Sequence, residues 1–136
     1  MVTESQLHIV AVTCFIKKDG KFLILKRSDK EIANPGEWTV PGGKVEGSDT
    51  ILGTLVKEIR EETGLEVPND FQFLGDTEFT RPDGYHVLIP RFFIEITGGE
   101  IVLDKNDFDD FAWVNKENLD EYSIIKGVKR ELEELL

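Results

Sequence analysis

A single α/β layered domain is what this sequence predicts, and three observations carry that prediction. Apolar runs rich in β-branched residues and of strand length recur along the chain. Residues 50–63 and the C-terminal stretch instead space their apolar side chains as a helix does. Turn residues separate these segments, with no Pro/Ser-rich linker, repeat or low-complexity tract between them. At 136 residues the chain is one domain, 1–136, long enough to bury a core without disulfides. Strands interleaved with helices pack as layers.

In order along the chain, "LHIVAVTCFI" (7–16) reads as a buried strand. Cys14, the one cysteine, lies in it and reads as a buried thiol rather than a nucleophile. Asp19–Gly20 is a hairpin turn signal, and "FLILKRS" (22–28) returns as the second strand. "NPGEWTVPGG" (34–43) is a loop or strand–loop element. The helix over 50–63 has Ser48 or Asp49 as its expected N-cap and Gly64 as its C-cap. "FQFLGDTEFT" (71–80) and "HVLIPRFFIEI" (86–96) read as strands joined by "RPDGY", with Pro90 pointing to an edge or a bulge. "DDFAWV" (109–114) is a short strand. Ile125, Val128, Leu132 and Leu135 line the core face of a final amphipathic helix.

Lys and Arg number 16 and Asp and Glu 27, a formal net charge of −11. That balance excludes a sequence-independent grip on a nucleic-acid duplex, which needs a basic surface. An acidic protein that binds a polyanion needs metal cations between the two, or a local basic patch. No run approaches membrane-spanning length, and a lone thiol suits a reducing compartment, so the expected location is the cytoplasm.

The helix over 50–63 carries Glu58, Glu61 and Glu62 at i, i+3 and i+4, on one face. Leu52, Leu55, Val56 and Ile59 form the neighbouring apolar stripe. Glu62 falls within roughly 20° of Leu55 on the helical wheel, so the acidic face borders the core. Clustered like charges there are costly, and something positive is expected beside them. Just upstream, Gly42 and Gly43 allow the backbone to approach a ligand closely. Carboxylates with a backbone carbonyl and a substrate phosphate make a shell for Mg²⁺ or Mn²⁺.

The segment Gly43–Leu65, "GKVEGSDTILGTLVKEIREETGL", resembles the Nudix box: Gly, five residues, Glu, seven residues, Arg-Glu, an aliphatic residue, any residue, Glu-Glu, any residue, Gly, an aliphatic residue. Gly43, Glu58, Ile59, Glu61, Glu62, Gly64 and Leu65 match in register, and "WTVPG" is similar to the usual lead-in. Two positions depart: Asp49 stands where the family has Glu, and Lys57 where it has Arg. Asp is a methylene shorter, and Lys lacks the planar fork that holds two carboxylate oxygens. Either the two changes compensate, or the glutamates are positioned less well.

The resemblance implies a Nudix-type α/β/α sandwich with a mixed β-sheet between helices. It implies divalent-metal-dependent hydrolysis of a pyrophosphate bond in a nucleoside diphosphate derivative. Glu58, Glu61 and Glu62 would be the metal-binding and catalytic acids, the Gly42 carbonyl a further ligand, and Gly43, Asp49, Lys57 and Gly64 structural members of the box. By its spacing to Trp113, Asp107 is similar to an extra metal ligand of MutT-like members, although "DKNDFDDFAWV" also reads as a solvated acidic loop. Glu46 is similar to a frequent acid beside the glycine turn. The small size looks most like the MutT-like group that cleaves a nucleoside triphosphate to the monophosphate and pyrophosphate. ADP-ribose, other nucleotide sugars and dinucleoside polyphosphates stay open as substrates, as does a non-catalytic nucleotide-binding module. Isomerase chemistry on an isoprenoid diphosphate would want further Cys and Glu site residues. Arg27 and Arg81 are candidates to meet phosphate, or ordinary surface arginines; Phe79 or Tyr85 is a candidate to stack on a base, or an edge aromatic. A homodimer is compatible with all of this.

Overall fold

A computed structural model describes residues 1–136. After a 3₁₀ turn at Glu4–Gln6, the chain forms β1 (Ile9–Lys18), β2 (Lys21–Arg27), β3 (Trp38–Thr39), β4 (Gly42–Lys44), α1 (Ile51–Thr63), β5 (Gln72–Thr80), β6 (His86–Glu95), β7 (Phe108–Val114), a second 3₁₀ turn (Leu119–Glu121) and α2 (Lys126–Leu135). The sheet runs β3-β2-β1-β6-β5, with β4 paired to β1 and β7 to β2. It is mixed: β1 and β6 are parallel, and the other pairs are antiparallel. The β1–β2 hairpin closes through Asp19 and Gly20, both at positive φ, the backbone that a two-residue loop between twisted strands requires.

Alternation along β1 divides the core between the two faces. Val12, Cys14 and Ile16 point to one side and pack with Leu55 and Ile59 of α1. Phe15 points to the other and packs with Phe22, Ile24 and Leu132 of α2. The sheet is therefore sandwiched between one helix on each face, the predicted architecture. Trp38 is core, edge-on to Tyr122 at 4.9 Å.

Three expectations need correction. The N-cap of α1 is Thr50, whose Oγ1 accepts from the Gly53 N–H at 2.9 Å; the Asp49 carboxylate is drawn instead to Lys57. The apolar stripe of α1 is narrower than the wheel suggests. Leu52 is exposed, while Thr54 and Thr63 are buried with their hydroxyls donating to the carbonyls of Thr50 and Ile59. Pro90 is on no edge, because β6 lies between β1 and β5. It falls in a gap of the β1–β6 ladder between the pairs Val10↔Leu88 and Thr13↔Arg91, where a missing N–H is tolerated, and the nearby register shift is on β5, between Phe73 and Gly75.

Candidate active site

The site assembles where β4 meets α1. Gly42 and Gly43 pair with Thr13 and Val12 of β1. Hydrogen bonds from Cys14 N–H to Pro41 O (2.9 Å) and from Val45 N–H to Val10 O (2.8 Å) set the ladder's alternation. That alternation turns the N–H and C=O of Gly42 away from β1. On this outer edge the Gly42 N–H donates to Glu62 Oε1 at 3.0 Å. Neither glycine can be replaced freely. A Cβ at Gly42 would stand 2.1 Å from Val12 O, and one at Gly43 would stand 2.6 Å from Glu58 Cδ. The missing side chain at Gly43 is what lets Glu58 lie against the strand, and the one at Gly42 lets β4 pack closely on β1.

Glu58 and Glu62 are half-buried here, and Glu61 is exposed. Burial pushes the Glu62 carboxyl up to about 8, against the Gly42 N–H that lowers it and with Glu58, Asp107 and Asp104 adding like charge. Burial, then the charge of Glu61, also holds Glu58 above the usual carboxylate range, with Glu46 and Asp107 contributing. Glu46 and Asp107 therefore both approach the helix face. As they stand, no three acids are drawn into a closed coordination shell, as suits like charges that repel one another.

The end of α1 explains how Asp107 arrives. Its last carbonyls have no partners within the helix. Glu62 O accepts from the Asp104 N–H at 3.1 Å and Thr63 O from the Val102 N–H at 2.8 Å. Gly64, at φ 74, closes the helix in the left-handed conformation. The 102–104 segment is thereby fixed against α1, and Asp107 follows it beside the acids. Burial, then Asp104, raises the Asp107 carboxyl. Asp109 and Asp110 leave on β7, where Asp110 pairs with Lys26.

Lys57 lowers Glu58 by its charge but makes its salt bridge elsewhere. Its Nζ is 3.3 Å from Asp49 Oδ2, and that hydrogen bond raises the lysine further. The two positions that depart from the box pattern are thus partners of each other. Of the substrate-side candidates, Arg27 is held by Ala33 O at 2.9 Å and Glu31 Oε2 at 3.3 Å, close enough to Asp107 to lower its carboxyl. Arg81 is paired with Asp83 in the β5–β6 turn and lies over the Tyr85 ring, and Phe79 is exposed on β5. The structure does not gather Arg81 or Phe79 with the acids. The bond from Gly42 N–H to Glu62 and the approach of Asp104 escaped the sequence reading, since backbone contacts across 20 or more positions leave no local signal.

The NUDIX domain family model matches residues 7–134. The chain is 30% identical over 125 residues to a nucleoside triphosphatase NudI of Escherichia fergusonii, covering 86% of this chain and 89% of that protein. It is 34% identical over 128 residues to an ADP-ribose pyrophosphatase of Methanocaldococcus jannaschii, covering 89% of this chain and 73% of that one. The crystal structure of a MutT protein from Methanosarcina mazei superposes with a TM-score of 0.77 at 27% identity, over 94% of this chain and 91% of that one. Nudix hydrolases use divalent metals and act on nucleoside diphosphate derivatives, and with a family match over nearly its whole length this chain belongs to the Nudix hydrolases.

Proposed function

We propose that the chain cleaves a nucleoside triphosphate to the monophosphate and pyrophosphate. Mg²⁺ or Mn²⁺ would be held by Glu58, Glu61, Glu62, the Gly42 carbonyl and Asp107. One observation carries the reading: half-buried acids crowd the paired glycines of β4, and no lysine or arginine forms a salt bridge with Glu58, Glu61 or Glu62. All the donors are hard oxygens, the set that these cations prefer. The edge of Gly42 that bonds Glu62 also carries its carbonyl.

A bound divalent cation would neutralise phosphate oxygens and acidify bound water. The protein's own part is positioning and proton transfer. Glu58, whose proton affinity is raised by burial and by Glu61, is the group proposed to take a proton from the attacking water. Glu62 is oriented by the Gly42 N–H. Asp49 and Lys57 tie the loop before α1 to the helix.

A triphosphate is favoured over ADP-ribose because the chain matches 89% of the triphosphatase relative but 73% of the ADP-ribose pyrophosphatase. The cytoplasmic location proposed for it rests on the lone thiol, which suits a reducing compartment; no helix is long and apolar enough to cross a membrane. Product identification by ³¹P NMR with Mg²⁺ tests the reading. Monophosphate with pyrophosphate is expected. Diphosphate with phosphate, faster cleavage of ADP-ribose, or binding without release would overturn it.

A further inference from the structure

We propose that His8, His86 and Glu78 form a metal site for Zn²⁺ or a similar divalent transition ion, separate from the acids of α1. The chain has two histidines, far apart in sequence, and the fold sets their rings side by side. β1 and β6 run parallel with Ile9 opposite Val87, which brings His8 next to His86. On the other side of β6, Thr80 of β5 stands opposite His86, and Glu78 lies two residues along the same strand. Alternation turns His8, His86, Thr80 and Glu78 to one face, so three adjacent strands present two imidazoles and a carboxylate together. Thr13, the partner of Gly42, lies five residues further along β1, about 16 Å away.

The spacing suits a tetrahedral ion. Zn²⁺ holds imidazole nitrogen and carboxylate oxygen at about 2.0–2.2 Å, so two of its donors stand about 3.4 Å apart and two bound imidazole centroids about 5.2 Å apart. Here His86 Nδ1 is 3.5 Å from Glu78 Oε1, and the ring centroids of His8 and His86 are 5.6 Å apart. At 3.5 Å the His86–Glu78 pair is longer than a good hydrogen bond, and an ion pair this exposed stabilises a fold little. The same separation is close to the edge of a coordination tetrahedron.

As placed, the three side chains do not converge on one point, and neither do the acids of α1. The Thr80 hydroxyl, 3.1 Å from His86 Nδ1, is a rotor that gives way to a cation. His8 is exposed and precedes β1, so its ring is free to turn toward the same point. Nitrogen donors favour Zn²⁺ and its transition-metal neighbours over Mg²⁺ and Ca²⁺. A cleft of about 560 Å³ opens beside His86 with Glu4 in its lining, and the net charge of −11 draws cations to the chain. An ion held here ties β1 and β6 to β5, the strand with no neighbour on its outer side. Because the three donors meet only in the folded chain, binding stabilises the fold by mass action.

The test is a Zn²⁺ titration of the full chain in excess Mg²⁺, which competes for oxygen-donor sites, followed by NMR of the imidazole nitrogens. With two histidines the spectrum holds two ring systems, assigned through His8→Asn and His86→Asn. Both rings are expected to shift together and to saturate at one Zn²⁺ per chain, with a rise in melting temperature. In either histidine variant the remaining ring should no longer respond at the Zn²⁺ level that saturates the wild type. Glu78→Gln should weaken binding at least about tenfold. Melting curves in EDTA check that each variant is folded. Rings that do not move, rings that respond independently, or an affinity unchanged in any one variant overturns the proposal; Zn²⁺ uptake with unmoved rings belongs to the acids of α1 instead. No turnover is measured, so the outcome is independent of the hydrolase reading.

Discussion

The two helices lie on opposite faces of one sheet, and their glutamates live under opposite conditions. On α1, Glu58 and Glu62 are pressed against a glycine strand among other acids, with no basic side chain salt-bridged to either. On α2, Glu131 keeps only 12% of its side-chain surface exposed, and the Arg91 guanidinium faces it at 3.7 Å. The first arrangement is unfavourable in the protein alone and becomes favourable only with an added cation. The second is nearly balanced already by the facing guanidinium. A buried charge is thus informative chiefly through what opposes it.

The largest break in that comparison is Glu58→Gln. Turnover of the nucleoside triphosphate should fall about 10³-fold, within the range for loss of a general base, while the melting curve stays close to wild type. Turnover within tenfold of wild type would remove Glu58 from the chemistry. Next is Gly43→Ala, which puts a methyl where the Glu58 carboxyl lies. A loss of roughly 10–100-fold in kcat is expected, since small displacements of a positioned group cost that much. An unaffected rate would mean that Glu58 works from another rotamer.

The third prediction concerns pH without metal. The Glu62 carboxyl is near 8 when folded against an ordinary value of 4.5. Folding therefore favours its protonated form. That contribution is complete below about pH 4.5 and is lost as pH rises through about 8. With EDTA present, the melting temperature should fall by several degrees between about pH 5.5 and 8.5, a few kcal/mol at most. Added Mg²⁺ should raise it more at the higher pH. Glu62→Gln should flatten the slope; parallel curves for the two proteins would show that Glu62 is not the group responsible. The smallest effect is expected from Asp49→Glu combined with Lys57→Arg. Because the two residues already meet at 3.3 Å, restoring the family pair should change turnover less than about tenfold. A hundredfold gain would show that the shorter pair misplaces Glu58.

The acidic half of the comparison was legible in the sequence. Helical spacing put Glu58, Glu61 and Glu62 on one face, and the glycines before them announced a close backbone approach. The caps illustrate the limit of such reasoning. Thr50, Asp49 and Ser48 are all competent N-caps; in the structure Thr50 serves, and the Asp49 carboxylate meets Lys57 instead. Pro90 was readable as a disturbance of pairing, but not as one inside the sheet. Arg91 carried a faint signal, a charge two positions into "IPRFFIEI", which period-2 alternation by itself makes unremarkable.

By itself the sequence determined the five longer strands, both helices, the Nudix box and the identity of the clustered acids. These follow from periodicity and fixed spacing, which act over a few residues. Only the tertiary structure decided that Glu62 accepts from Gly42, that the 102–107 segment carries Asp107 to the acids, and that Arg91 meets Glu131. Each of those contacts joins residues far apart in the chain. Strand register and the docking of orphan helix carbonyls create them, and both depend on the whole sheet being assembled.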